Sequence, residues 1–175
     1  KKEFRLAIER AMTTLNHPIT KSRDEMEQIS QVMEGLTRYD KNKKLSASGA
    51  ESWEISEDYL TYTFKLRKDA KWTNGDPVTA HDYVFAWKTL LLNPKAGYNF
   101  VLTILENGTA VKNGEKQPEE LGVKAIDDYT FEVKITQPYA PFLDAVSTVT
   151  YYPLNEKAYN EIGEEAYGTS AETIM

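Results

Sequence analysis

The sequence predicts an α+β fold. Two stretches, 52–67 and 122–135, alternate apolar and polar residues as half-buried hairpins do. Around them, 24–36 and 79–91 carry apolar residues at helical spacing. Strands joined by hairpins and separated by helices suit a mixed domain better than a parallel, doubly wound one. With 175 residues, 41% of them hydrophobic, the chain can bury a substantial core.

The first element expected is a strand, because Phe4, Leu6 and Ile8 alternate with Arg5, Ala7 and Glu9. After a break at Pro18, Met26, Ile29, Val32, Met33 and Leu36 define a helix over 24–36, with Gly35 near its stop. The run RYDKNKKLSASGAE is polar and turn-rich, and reads as a connection. Leu60, Tyr62, Phe64 and Leu66 then share one face of a strand that follows a turn at Ser56–Tyr59. Asn74-Gly75 marks a second tight turn. A helix starts at Thr79, where Thr79 and Asp82 form a capping box, and Tyr83, Val84, Trp87, Leu90 and Leu91 make its apolar stripe. Asn93-Pro94 ends it. A short helix and a polar loop follow over 97–121. Next comes a hairpin turning at Asp127-Asp128, with Phe131, Val133 and Ile135 alternating after it. Pro138 and Pro141 lead into another short helix, and the last twenty residues are helix-like, then polar.

Composition excludes several classes of chemistry. The 21 basic and 27 acidic residues, net charge −6, are interspersed, so no basic stripe points to nucleic acid. Cysteine is absent, which removes disulfides, thiolate zinc sites and cysteine nucleophiles. No apolar run reaches the length of a membrane span, and the start at Lys1-Lys2-Glu3 reads as processed or trimmed.

The stretch 66–88 gathers Asp69, Asp76, His81 and Asp82 among Trp72, Tyr83 and Trp87, which invites a catalytic reading. Metal-dependent hydrolysis needs more ligands than a chain whose other histidine is His17 supplies, whereas Asp82 in a first helical turn caps backbone amides. Ser46, Ser48 and Ser56 sit in turn-like contexts, and there is no nucleophile elbow, phosphate-binding loop or dinucleotide fingerprint. Asp127-Asp128 and Glu119-Glu120 read as a turn and a solvated loop, so the chain is expected not to be an enzyme and to need no metal or other cofactor. Asn107-Gly108-Thr109 fits a glycosylation acceptor and equally a turn. Trp53, Trp72 and Trp87 fall on apolar faces and read as core. Tyr98 and Phe100, beside Gly97 and Asn99, lie in a loop, where aromatics serve either a satellite core or a ligand pocket.

Residues 49–94 resemble the signature region of the extracytoplasmic solute-binding proteins of the peptide (oligopeptide/dipeptide/nickel) ABC-importer family. The matching elements are Ala50, Trp53, Ser56-Glu57-Asp58, Tyr62–Arg67, Lys71-Trp72, Gly75, Pro77, Thr79-Ala80, Asp82 and Trp87. A second block follows at Gly122-Val123, Ala125, Asp127-Asp128 and Pro138, and TLNHPIT with MEGLTRYD resembles the family's opening segments.

The resemblance implies a class II periplasmic-binding-protein fold with an extra inserted domain. It places the start of a discontinuous first lobe at 1–36, a small inserted α+β domain at 37–155, and the beginning of a return to the first lobe at 156–175. Members are longer, so the chain resembles the N-terminal portion of an oligopeptide-binding protein, without the second lobe or the lipid-bearing cysteine. The implied partners are a peptide ligand and, through the full-length protein, a membrane permease with its ATPase subunits. The implied location is extracytoplasmic, on a surface lipoprotein of a Gram-positive bacterium. Carried over by position, peptide contacts fall on Lys21, Ser22 and Arg23 and on Tyr98, Asn99 and Phe100. For 21–23 a solvated loop is the alternative. A peptide-pheromone receptor, or a nickel or haem carrier on the same fold, remain alternative functions.

Overall fold

The computed structural model describes residues 11–175. The strand expected over Phe4–Ile8 lies outside the described residues. The centre is a four-stranded antiparallel sheet in the order β3-β4-β6-β5, formed by β3 (Ala50–Ile55), β4 (Thr61–Leu66), β5 (Val123–Asp127) and β6 (Thr130–Lys134). Register follows the alternation: Phe64 stands opposite Phe131 and Tyr62 opposite Val133. All four are buried, while Thr63, Glu132 and Lys124 align across the other face.

Helix α2 (Ala80–Leu92) covers the apolar face. Trp87 meets Phe131 edge-on at 5.1 Å, and Tyr83 stacks on the same ring at 5.5 Å. Trp87 is fully buried and Trp72 nearly so, whereas Trp53 is half-buried at the margin of the core. The Asn74-Gly75 turn has Gly75 at φ 91°, open to a residue without a Cβ.

Helix α1 (Arg23–Val32) stops earlier than its apolar spacing predicts. Ile29 packs with Val149 and Tyr152, supported by Met26 and Met33, in a second small cluster. Val32 faces solvent, and Leu36 has left the helix for the main core. Gly35 is not the helix stop. It lies in the extended link, where a Cβ would come within 2.7 Å of the Val146 carbonyl and the Tyr152 ring.

The expected connection at 37–50 contains a hairpin, β1 (Thr37–Tyr39) with β2 (Leu45–Ala47). Its strands are three residues long, too short to print an alternation. Its turn is set by Asp40, whose Oδ1 accepts from the amides of Asn42 and Lys44. Inside the expected polar loop, Gly108–Lys112 forms α3. Asn107 precedes it in a left-handed conformation, and its Nδ2 donates to the Glu120 carbonyl at 2.7 Å. The acceptor-like tripeptide is thus the entry to α3, with the Asn107 amide engaged. Helices α4 (Phe142–Ala145) and α5 (Glu156–Ile162) complete the α-helices of the described residues.

Candidate functional site

The two segments singled out above are far apart in sequence and meet in space. Asn93 ends α2, and the chain then runs through Gly97 to a 3-10 turn over Asn99–Ile104. The stem of Lys21 crosses Gly97 so closely that a Cβ there would stand 2.8 Å from the Lys21 Cγ. A side chain at 97 would push Lys21 aside, so the missing Cβ is what lets the segments touch. Beside this contact Tyr98 and Phe100 are both exposed, with ring centroids 6.4 Å apart. Exposed neighbouring aromatics supply apolar area at small entropic cost.

The other named residues have structural duties as well. Ser22 is the N-cap of α1. Arg23 opens that helix and pairs with Glu27 at 2.9 Å on the surface. Asn99 is held at both ends of its amide, donating to the Asn93 carbonyl at 3.3 Å and accepting from Lys112 Nζ at 3.0 Å. The structure therefore brings Lys21 to the loop that holds Tyr98, Asn99 and Phe100, and fixes Ser22 and Asn99 in place.

Residues 13–20, which lead into Lys21, are anchored by buried polar groups. Leu15 N donates to the Gly168 carbonyl at 2.7 Å and Asn16 Nδ2 to the Glu164 carbonyl at 2.9 Å. His17 is buried with Nε2 3.1 Å from the Tyr152 carbonyl. Burial outweighs that hydrogen bond and pushes its pKa down to about 3, so the ring is neutral. Glu25 is buried too, and its carboxylate accepts from Thr13 and Thr14 amides and from the Thr13 and Thr20 hydroxyls. Burial alone would raise its pKa, but these hydrogen bonds together hold it below the ordinary carboxylate range. Nothing in the composition or the apolar periodicity marks Glu25. The signal available was the spacing Ser22-x-x-Glu25.

The acid-rich stretch 66–88 resolves into a corner of the scaffold. Asp82 Oδ2 accepts from Thr79 N at 2.8 Å and Trp72 Nε1 at 3.2 Å. Arg67 is paired with both Asp69 at 3.0 Å and Glu34 at 3.2 Å. His81 is exposed, 3.4 Å from Asp128. Among the described residues no group of three or more His, Asp or Glu could hold a metal ion, and no helix is long and apolar enough to cross a membrane. A cleft of about 410 Å³ opens nearby, lined by Met33, Arg67, Trp72, Tyr83 and Met175 among others. None of its lining comes from 21–23 or 97–100.

Residues 44–171 match the bacterial extracellular solute-binding proteins, family 5 (middle). The chain belongs to this family. This family 5 chain is 45% identical over 138 residues to the periplasmic oligopeptide-binding protein OppA of Haemophilus influenzae, covering 77% of the chain and 25% of that protein. It is 42% identical over 147 residues to the dipeptide-binding protein DppE of Bacillus subtilis, covering 83% of the chain and 27% of the relative. A solved structure of Listeria monocytogenes OppA bound to peptide aligns with a TM-score of 0.88 at 38% identity, over 94% of this chain and 32% of that one. The fold is that of an OppA-type binding protein, and the chain spans about a quarter of the length of the curated relatives it matches. These relatives are named as binding proteins, not enzymes.

Proposed function

We propose that this chain is part of a receptor that captures oligopeptides outside the cytoplasm and delivers them to an ABC-importer permease and its ATPase subunits. In this reading the chain contributes the start of the first lobe (1–36), the small inserted domain (37–155) and the beginning of the return (156–175). A second lobe, elsewhere in the longer protein, closes over the ligand. A lipid anchor on a Gram-positive cell surface completes the scheme. The contact of Lys21 with Gly97 supports it, because it brings Lys21 to the loop whose Tyr98 and Phe100 are exposed. Extended peptides bind by main-chain pairing, with wet, roomy pockets for varied side chains, and such capture needs no nucleophile or metal. Lys21–Arg23 lend backbone and Tyr98–Phe100 lend aromatic surface.

Native mass spectrometry of the complete receptor purified from its host is expected to release a ladder of peptides; a single defined species would favour a dedicated signal receptor. In calorimetry, Tyr98→Ala in that receptor is expected to weaken peptide binding by about 1–2 kcal/mol, the loss of one interface aromatic. Unchanged affinity would remove loop 97–100 from the site. The chain alone is expected to bind peptide more weakly than micromolar, short of about −8 kcal/mol.

A further inference from the structure

Ser22 and Glu25 stand at the spacing of a reciprocal helix cap, in which the glutamate reaches back to the serine amide. Only half of that cap forms. Ser22 Oγ accepts from Glu25 N at 3.5 Å, but Ser22 N donates to Thr20 Oγ1 at 3.3 Å. The Glu25 carboxylate has turned away from its own helix. Oε1 takes Thr13 N at 2.8 Å, Thr13 Oγ1 at 2.7 Å and Thr14 N at 3.2 Å, while Oε2 takes the Thr20 hydroxyl.

One oxygen thus grips the entrance of the 13–20 turn and the other grips its exit, next to Lys21. The Thr13 and Thr14 amides are obligate donors and both fall on Oε1, while the Thr20 hydroxyl satisfies Oε2. Helix α1 already has its Ser22 cap, and the main core lies elsewhere. What the Glu25 bonds determine is the shape of the turn that delivers Lys21 to Gly97.

We propose that Glu25 is a positioning residue for peptide capture, a buried clamp that holds residues 13–20 so that Lys21 lies across Gly97 beside Tyr98. This rests on the peptide-binding reading of that face. Glu25→Gln can still accept from Thr13 and Thr14 and donate to the Thr20 hydroxyl, so the variant that removes both grips is Glu25→Ala. Thr20→Val, nearly isosteric, removes a single hydroxyl and secures the test if the alanine variant folds poorly.

In the complete receptor, Glu25→Ala is expected to raise the peptide dissociation constant about tenfold or more, with Thr20→Val moving it the same way by less. Hydrogen exchange should quicken at the Thr13 and Thr14 amides and stay unchanged at Phe64 and Phe131, a local loosening that a merely global destabilisation would not give. Unchanged exchange at Thr13 and Thr14 overturns the clamp. Quickened exchange with unchanged affinity overturns its role in capture. Tyr98→Ala in the same assay tells the two failures apart: if it weakens binding, the peptide face stands without the clamp, and if it does not, the reading of the face fails as well.

Discussion

Trp87→Ala is expected to destabilise the fold by about 4 kcal/mol, the cost of emptying a large, fully enclosed aromatic site. Trp87 has no exposed surface and joins three parts of the molecule. Its ring lies edge-on to Phe131 of β6 and to Tyr151 of the 149–151 turn, each at 5.1 Å, and its indole N–H donates to the Tyr151 carbonyl at 3.0 Å. Removing it opens a cavity where α2, the sheet and that turn meet, and strands a buried carbonyl. Folding domains have about 5–15 kcal/mol in total, so this one change takes a large share. Trp87→Phe should cost less, about 1–2 kcal/mol, since it keeps most apolar area and loses the hydrogen bond. Urea titration of the three proteins checks both values; a loss below about 1 kcal/mol for the alanine variant would contradict this account of the core.

Asp82→Ala should cost about 3 kcal/mol, because it unpairs several donors at once in a buried corner. Asp82 Oδ2 accepts from Thr79 N, Thr79 Oγ1 and Trp72 Nε1, and Oδ1 accepts from Glu156 N at 3.4 Å. The group therefore caps α2, fixes Trp72 and ties the start of α5 to the same point. Its pKa is nonetheless raised, since burial outweighs these hydrogen bonds. The sign then runs opposite to that of most carboxylates. A folded-state pKa above the unfolded value means a contribution fully present below the unfolded pKa and lost as pH rises through the folded one. The margin of wild type over the non-titrating Asp82→Asn should narrow as pH rises through the window above the ordinary aspartate value of 3.8. Denaturation of the pair at several pH values tests this, and a margin that widens over that window would refute it.

Features set by neighbours in sequence were legible. The Thr79–Asp82 capping box needs only four consecutive residues, and it forms as expected. The alternation through Tyr62, Phe64 and Leu66 likewise fixed which face of β4 is buried, because one step along a strand flips the side. Features that depend on distant partners were not legible. Gly35 resembled a helix stop, and what it answers to is the ring of Tyr152. The β1–β2 hairpin hid because strands of three residues cannot show a period, and its turn depends on one aspartate, Asp40. At the candidate site the family resemblance pointed to 21–23 and 98–100, but the touch of Lys21 on Gly97 is a tertiary event. Glu25 escaped because its local pattern suggests a cap that its carboxylate does not complete.

The bonds from Leu15 to Gly168 and from Asn16 to Glu164 span almost the whole described chain. Contacts that distant are among the last to form, since closing a long loop comes before any reward from the contact it makes. During synthesis the sheet and α2 can assemble while residues 13–20 still lack their seat, because Glu164 and Gly168 emerge near the end of this stretch. The segment carrying Lys21 is therefore timed as well as placed: it locks only after the scaffold beneath it exists.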